Sequence, residues 1–242
     1  MTPAPFASAH DGLLLVDKPA AWTSHDVVAK IRNHFRIEKV GHGGTLDPSA
    51  TGLLIIMLGK ATKISERVMG HDKTYEGIFR LGSTTTTQDA DGEIVSEADS
   101  EAVAAVTREQ TEAAMRSFIG DFMQTPPMVS AIKVKGTPLY KLARKGQTIE
   151  REGKLVHVYR FDLLSFEPPN VGFVAECTKG TYVRTLAHDV GQKLSVGAHL
   201  TQLRRTRIGN FALSDAVTLE KLLTLSSPEE ALLPLSRALA YL

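Results

Sequence analysis

The sequence predicts an α+β fold in which helices and loops flank a mixed, mainly antiparallel sheet. The chain has 242 residues, of which 43% are apolar, so it can bury a sizeable core. Segments with the pattern of a strand outnumber those expected from strict strand–helix alternation. The alternating segment 155–166 and the segment 171–177 also lie close enough in sequence to pair as antiparallel neighbours. These features together favour one domain, with or without an insertion.

The N-terminal quarter of the chain is predicted to form strand, helix, turn and strand. The apolar run Gly12–Val16 is typical of a buried strand. Ser24 is predicted to cap a helix. The apolar positions of this helix recur every four residues, at Val27, Ile31 and Phe35. A glycine-rich turn around Asp47 follows, and the unbroken apolar segment 52–58 predicts a second core strand.

The middle of the chain is predicted to be more irregular. A short helix is expected at about 61–69 and a strand at 73–81, and the polar segment 82–100 is expected to be a loop. Residues 107–110 (TREQ) match a capping box, which predicts a helix that runs to about Phe118.

The second half begins with an excursion from the core pattern, since 124–152 is rich in proline, glycine and basic residues. Segment 155–166 then alternates, which predicts a strand with Tyr159, Phe161 and Leu163 on one face. Residues 171–177 are its predicted antiparallel neighbour. A helix is predicted from near Thr181 and a last strand over 200–211. The strand contains Arg204, Arg205 and Arg207, and two short helices close the chain.

Charge is distributed unevenly along the chain. The formal net charge of +1 is not that of a general nucleic-acid binder. Segment 89–112 carries eight acids and one base, whereas 133–154 carries seven bases and two acids. A charge run is usually a solvated face, but a local basic segment is also where a polyanion binds.

Cysteine, histidine and hydropathy patterns exclude several classes of site. The single cysteine, Cys177, excludes an intramolecular disulfide and a multi-cysteine metal site. The eight histidines show no pair at helical metal-ligand spacing, so no metal is expected. Residues 1–11 lack the features of a signal peptide and are predicted to be a flexible tail. With no apolar run long enough to cross a membrane, the chain is expected to be a cytoplasmic protein.

A single carboxylate, Asp47, lies in the rigid segment GHGGTLDPSATGLL, residues 41–54. Asp before Pro in a glycine-rich stretch is typical of a plain turn. A phosphate-binding loop is excluded because Gly59-Lys60 is followed by alanine, and the chain has no serine-centred nucleophile elbow. If Asp47 is functional, it is a nucleophile or a general acid or base.

The segment Gly41-His42-x-Gly44-x-Leu46-Asp47-Pro48-x-Ala50-Thr51-Gly52 resembles the active-site motif of the TruB family of tRNA pseudouridine synthases. The resemblance continues along nearly the whole chain. It includes Asp17-Lys18-Pro19 with Thr23-Ser24, Lys73-x-Tyr75, Asp89-Ala90-Asp91-Gly92, the segment from Pro126-Pro127 to Gly146, Lys179 to Thr185, and Gly197-Ala198-His199 with Leu203-Arg204-Arg205. Three positions depart from the family pattern, namely Ala21 for glycine, Thr86 for an acid and Val129 for an aromatic residue.

The resemblance implies a pseudouridine synthase fold over 12–242 with an inserted RNA-binding thumb at about 124–152. It also implies isomerisation of uridine 55, in the T-loop of tRNA, to pseudouridine, with no cofactor. Asp47 would be the catalytic carboxylate, attacking the base or the sugar or removing a sugar proton. Arg184 would pair with Asp47 and lower the pKa of its carboxyl, and Tyr75 would help to move the C5 proton.

The resemblance also implies a set of substrate contacts. His42 would assist extrusion of the target nucleotide, and Tyr182 and Leu203 would be pocket walls. The remaining substrate-binding candidates are basic, namely Lys18 in the N-terminal motif and Lys133, Arg144 and Lys145 in the thumb.

Two other functions compete with a stand-alone tRNA enzyme. A non-catalytic module that binds RNA or helps tRNA to fold would need only the basic thumb. A dyskerin-type synthase guided by a partner RNA would need a C-terminal PUA-type domain, for which the sequence shows no segment. The expected protein is therefore a monomer that binds the T-arm of tRNA without an obligatory protein partner.

Overall fold

The computed structural model of the protein describes residues 10–130, 133–134, 136–139, 142, 147 and 149–242. The strands are β1 (Gly12–Lys18), β2 (Val40–His42), β3 (Thr51–Leu58), β4 (Lys73–Leu81), β5 (Ser83–Thr85), β6 (Ile94–Glu97), β7 (Gly120–Gln124), β8 (Lys133–Val134), β9 (Thr137–Pro138), β10 (Lys154–Glu167), β11 (Asn170–Cys177), β12 (Ala198–Ile208), β13 (Phe211–Ala212), β14 (Val217–Thr218) and β15 (Leu233–Pro234). The α-helices are α1 (Ser24–Phe35), α2 (Ser65–Gly70), α3 (Ser100–Ala104), α4 (Arg108–Arg116), α5 (Val183–Lys193), α6 (Leu219–Leu222) and α7 (Leu235–Ala238). Strands and helices do not alternate regularly, which confirms the predicted α+β class.

The chain divides into two compact units, and the division falls inside strands β4 and β12. The first unit comprises Met1–Tyr75 and Leu203–Leu242, and the second comprises Glu76–Gln202. No helix in the described part of the chain is long and apolar enough to cross a membrane.

The first unit is built around β3. This strand lies between β1 and β12 and pairs antiparallel with β1 and parallel with β12. Seven of its eight residues are buried, because both of its faces are covered. One face packs with neighbouring elements in a cluster that contains Leu13, Leu53, Ile55, Met57, Ala61, Val68, Ile208, Phe211 and Ala238. The apolar run thus correctly predicted a fully buried strand.

The second unit contains a long antiparallel pair, β10 with β11, and β7 pairs antiparallel with the start of β10. The register of β10 with β11 shifts between Val158 and Arg160. Because of this irregularity Tyr159 is 48% exposed while Phe161 is buried. The prediction that these two rings share one face is therefore wrong, since an irregularity in the pairing breaks the alternation.

Three other predicted elements differ from the structure. Segment 82–100 is not only loop, since β5 and β6 pair antiparallel within it. The predicted last strand ends at Ile208, and the chain turns back at Gly209 so that β13 pairs with β12. The helix expected at 61–69 is a 3₁₀ turn over Gly59–Ile64 followed by α2.

Thr23, and not Ser24, caps α1. The Thr23 hydroxyl accepts the Asp26 N–H at 3.0 Å, and the Asp26 carboxylate accepts the Thr23 N–H at 2.9 Å, which completes a capping box. The capping box predicted for α4 at Thr107 and Gln110 is confirmed. The predicted tail ends in an anchored residue, because the Asp11 carboxylate accepts the backbone N–H of Lys60 at 2.8 Å.

Thr23→Ala is expected to lower the free energy of unfolding by about 1 kcal/mol, because the Asp26 N–H loses its acceptor. Urea denaturation measures the change. Thr23→Ser keeps the hydroxyl and is the matched control. An equal loss of stability in Thr23→Ser would attribute the effect to packing of the threonine methyl group and not to the cap.

Candidate active site

Asp47 lies in the turn that joins β2 to β3 in the first unit. The turn begins where the Gly43 N–H donates to the carbonyl oxygen of Ile55 at 2.8 Å. Only glycine fits at 43, because a Cβ atom there would lie 2.4 Å from Cγ1 of Val68. On the other side of the turn, the Ala50 N–H donates to the Asp47 carbonyl oxygen at 3.1 Å. The Asp47 residue itself is half-buried.

Arg205, on β12, holds the first part of the turn. Its side chain is buried, with 1% of the residue exposed. Nε donates to the Leu53 carbonyl oxygen at 2.8 Å, Nη1 to that of Thr45 at 3.3 Å and Nη2 to that of Gly44 at 3.1 Å. A single guanidinium group therefore links the start of β3 to the two residues at the entrance of the Asp47 turn.

Ser24 holds the residue directly before Asp47. Its buried hydroxyl accepts the Leu46 N–H at 2.9 Å and lies 3.3 Å from the Leu46 carbonyl oxygen, to which it donates. Because Thr23 caps α1, the Ser24 hydroxyl is available for the turn. The sequence predicted the start of the helix but assigned the cap to Ser24 instead of Thr23.

Lys18 holds the residue directly after Asp47. Nζ donates to the carbonyl oxygens of Pro19 at 2.8 Å, Trp22 at 2.7 Å and Pro48 at 3.1 Å. Burial lowers the pKa of Lys18 to about 8, and the negative charge of Asp47 opposes the shift. The residue has no exposed surface. Its direct contact with the substrate, which the resemblance implied, stays a prediction.

Ala21 adds a further contact to the same turn. Its N–H donates to the Pro48 carbonyl oxygen at 2.9 Å, and its backbone is left-handed, with φ of 65°. Glycine adopts this conformation without strain, whereas alanine does not. The departure from the usual glycine at this position therefore costs strain without removing the hydrogen bond.

Tyr75, Leu203 and His42 complete the predicted residues of the first unit. Tyr75 is buried on β4, and its side chain is hydrogen-bonded to Arg205. Leu203, on β12, is half-buried, and its carbonyl oxygen accepts the Thr51 hydroxyl at 3.5 Å. The structure thus places Asp47, Tyr75 and Leu203 in the same unit.

His42 is half-buried at the end of β2 and lies edge-on to His25, with ring centroids 5.3 Å apart. Burial, followed by the positive charges of His25 and Arg205, lowers the pKa of His42 to about 4. The imidazole is therefore uncharged at neutral pH. Its Nδ1 atom is buried and has no hydrogen-bond partner among the described residues.

Arg184 lies in the first turn of α5, in the second unit, and is 5% exposed. Nη1 donates to the Asp89 carboxylate at 3.1 Å and Nη2 to the Val129 carbonyl oxygen at 2.7 Å. Asp89 is held in turn by the N–H of Asp91 and the hydroxyl of Thr87. Arg184 is thus not an ordinary exposed helix arginine, and its pairing with Asp47 stays a prediction.

Gln124 fixes the N-terminal end of α5 through its amide group. The amide oxygen accepts the Tyr182 N–H at 2.8 Å, and the amide nitrogen donates to the Tyr182 carbonyl oxygen at 3.1 Å. The Tyr182 ring lies 5.8 Å from the guanidinium carbon of Arg184. No sequence pattern pointed to this clamp, because a buried amide is recognised only from its distant partner.

The thumb residues are only partly described. Lys133 lies in β8, with no description of its side chain, and Arg144 and Lys145 lie outside the described residues. The predicted contacts of these three side chains with RNA phosphates stay predictions.

Two family models match successive parts of the chain. The model of the TruB family pseudouridylate synthase (N terminal domain) matches residues 32–183. The model of the tRNA pseudouridylate synthase B C-terminal domain matches residues 184–240. The two matches together span both units.

Individual relatives agree with these matches. The tRNA pseudouridine synthase B of Opitutus terrae is 53% identical over 94% of each chain, and that of Pseudomonas aeruginosa is 50% identical over 87% of this chain and 68% of the other. A chain in the crystal structure of a Cbf5-Nop10-Gar1 complex is 30% identical with a TM-score of 0.75. That comparison covers 96% of this chain and 63% of the other, so this chain spans less than two thirds of that structural relative.

Ser24→Ala is expected to loosen the turn, because the Leu46 N–H loses its acceptor in a buried place. An unsatisfied buried group costs about 1–3 kcal/mol, so local opening should become easier and the Leu46 amide should exchange faster with solvent deuterium. Ser130→Ala is the matched control, since Ser130 is equally buried but its hydroxyl has no described partner. Unchanged exchange at Leu46 in Ser24→Ala would contradict the assigned contact.

Proposed function

The chain belongs to the TruB family of pseudouridylate synthases, and from this premise we propose that it isomerises uridine 55, in the T-loop of tRNA, to pseudouridine. The match to residues 32–183 confirms the family that the motif around Asp47 predicted. Relatives that are about half identical over most of the chain are named tRNA pseudouridine synthase B, which supports tRNA as the substrate. The proposed reaction breaks the bond between ribose C1′ and N1, rotates the base and joins C1′ to C5.

The immobilised turn around Asp47 is the observation that carries the proposal. Lys18, Ser24 and Arg205 fix the backbone on both sides of this residue. A carboxylate that must meet one sugar–base bond gains rate from such preorganisation, since little entropy is lost when the reacting groups align. Attack on the base, attack on the sugar and removal of a sugar proton all require the ionised form at a fixed position.

A module that only binds RNA gains nothing from this arrangement. The Asp47 carboxylate repels phosphate groups, so holding it in place would weaken binding without a compensating contact. The 53% identity to a named tRNA enzyme also favours a tRNA substrate over a guide-RNA-dependent one. The two alternatives, a non-catalytic RNA-binding module and a guide-RNA-dependent synthase, are therefore less favoured, and the experiments below test them.

Tyr75, Leu203 and Tyr182 are proposed to contact the target base. Stacking against an aromatic ring is worth about 1–3 kcal/mol per base, which suits the ring of Tyr75. Its hydroxyl group is proposed to take part in removing the C5 proton. Leu203 and Tyr182 are proposed as pocket walls, and Gln124 fixes the backbone from which the Tyr182 ring projects.

His42 is proposed to fill the space that the flipped nucleotide leaves. Extruding a nucleotide from a folded T-loop costs roughly a few kcal/mol, because base stacking is disrupted. Because burial lowers the pKa of His42 to about 4, the ring enters the RNA uncharged at neutral pH. An uncharged imidazole replaces the disrupted base stacking without the desolvation cost of a cation.

Asp47→Asn is expected to abolish pseudouridine formation while tRNA binding stays equal or becomes tighter, because the amide keeps the shape and loses the charge. Single-turnover tritium release from tRNA labelled at uridine C5 measures the first quantity, and filter binding measures the second. Asp215→Asn, a change at an exposed carboxylate of the same unit, is the matched control. Substantial isomerisation by Asp47→Asn would return Asp47 to a plain turn residue.

Replacing Arg144 and Lys145 by alanine is expected to weaken tRNA binding without sequence preference. If both side chains bind phosphates, the slope of log affinity against log salt should become shallower by about 0.7–0.9 for each phosphate interaction removed. Lys221→Ala combined with Arg237→Ala removes the same charge from the exposed C-terminal region and is the control. An unchanged slope in the thumb variant would make that segment a solvated face.

A further inference from the structure

We propose that Arg205 is a positioning residue for the reaction, which holds the phenol of Tyr75 in register with Asp47 and stabilises the ionised, phenolate form of Tyr75. The inference rests on the proposed function, in which uridine C5 must lose a proton. In this account Tyr75 accepts the proton as a phenolate, and Arg205 stabilises that phenolate.

The guanidinium group of Arg205 is surrounded by neutral hydrogen-bond partners. The guanidinium group is buried, and its hydrogen-bond partners among the described residues are three carbonyl oxygens, of Gly44, Thr45 and Leu53, and the phenol of Tyr75. All four are neutral groups. Carbonyl dipoles solvate a buried cation, but only an anion neutralises it, and a buried unpaired charge is costly.

The direction of the hydrogen bond determines what Tyr75 can do. Arginine has five N–H donors and no acceptor, so the phenol oxygen must be the acceptor. The proton of the phenol is then directed away from Arg205. Burial lowers the pKa of Arg205, and the negative charge that Tyr75 carries when ionised opposes this shift. Because this coupling is reciprocal, the same interaction favours the phenolate.

Charged groups on neighbouring elements interact with Arg205 and with one another. Lys18 interacts electrostatically with Arg205 and Asp47, and His42 interacts with Arg205. His42 is uncharged at neutral pH, and Asp26 also interacts with Lys18, so among the described residues this cluster holds two cations, Lys18 and Arg205, and two anions, Asp47 and Asp26. Both carboxylates interact with Lys18, whereas Tyr75 is hydrogen-bonded to Arg205. The ammonium group of Lys73, two residues earlier on β4, donates to the carbonyl oxygens of Met69 and His71 and adds positive charge to the same strand.

The same guanidinium group also sets the spacing of the two reacting side chains. It bonds to the carbonyl oxygens of Gly44 and Thr45, just ahead of Asp47, and to the phenol of Tyr75. The positions of the carboxylate and of the phenol are therefore both fixed relative to one rigid group. Movement of the turn relative to β4 would stretch bonds to a buried cation.

The proton balance of the proposed step is simple. After the bond between C5 and C1′ has formed, the electron pair of the C5–H bond returns to the ring as the proton moves to the phenolate oxygen of Tyr75. The phenol later gives this proton to water, and N1 takes a proton from water. No oxidant, reductant or metal takes part, and the protein ends in its starting form.

A spectroscopic titration tests the ionisation of Tyr75 without RNA and without turnover. Phenolate absorbance is followed against pH for the wild-type protein and for Tyr75→Phe, and the difference reports the one tyrosine among five that was removed. The expected result is that the acid ionisation constant of Tyr75 is at least tenfold larger than that of an ordinary tyrosine, whose midpoint is about pH 10. The midpoint of Tyr75 should therefore lie at least one pH unit lower. A midpoint at or above that of an ordinary tyrosine overturns the proposal.

Two substitutions of Arg205 then separate charge from packing. Arg205→Met removes the positive charge. Arg205→Lys keeps the positive charge but loses the planar guanidinium group, which bonds to two carbonyl oxygens of the turn at once. The difference titration should move to higher pH in Arg205→Met, and the lysine variant should recover part of the shift. If the methionine variant does not fold, the wild-type titration and the lysine variant still decide the question.

Activity gives an independent measurement. The rate of single-turnover tritium release is expected to rise with pH as Tyr75 loses its proton, and this rise should shift to higher pH by at least one unit in Arg205→Lys. A purely structural Arg205 would lower the rate equally at every pH, which contradicts the proposal. Absence of tritium release from any tRNA by the wild-type protein would overturn the proposed function, whereas the titration would still report on Arg205 and Tyr75.

Discussion

A buried cation needs oxygen atoms around it, and in this protein the backbone of one turn supplies many of them. The ammonium of Lys18 takes the Pro48 carbonyl oxygen, and the guanidinium of Arg205 takes those of Gly44 and Thr45. Moving the turn would remove part of the solvation of each cation, which is costly inside a protein. The position of Asp47 therefore depends on the burial of two charges that lie far from it in sequence.

The arrangement explains why a glycine-rich turn is not a flexible one. Glycine normally increases backbone freedom, and four of the residues from 41 to 52 are glycines. Here Gly43 is required because Val68 leaves no space for a side chain, and Gly52 because a Cβ atom there would lie 2.3 Å from the Arg205 carbonyl oxygen. Close packing, and not mobility, accounts for both residues.

The sequence predicted the fold well where a pattern is local. Continuous apolar runs predicted β1 and β3, and capping-box chemistry predicted the start of α4. It failed where the outcome depends on pairing, as at Tyr159, where a register shift between β10 and β11 overrides alternation. The hairpin of β5 and β6 was missed because its short strands lie in a polar segment that resembles a loop.

The candidate site was predicted in the same uneven way. The motif identified Asp47, Tyr75 and Arg184, because their spacing to neighbouring residues is characteristic. It could not assign roles to Ser24, Arg205 or Gln124, since each acts on backbone more than 20 residues away, at Leu46, Gly44 and Tyr182. Hydrogen bonds from buried side chains to distant backbone leave no periodic trace in a sequence.

The central claim of this account is that the Asp47 turn is ordered before RNA binds. ¹⁵N relaxation of the free protein tests it most directly, through the order parameters of the Leu46 and Ala50 amides, whose N–H groups donate to Ser24 and Asp47. The account predicts values of about 0.85, typical of rigid backbone, without tRNA. Values below about 0.6 would show that the turn is mobile on the fast timescale and would contradict the claim that it is preorganised.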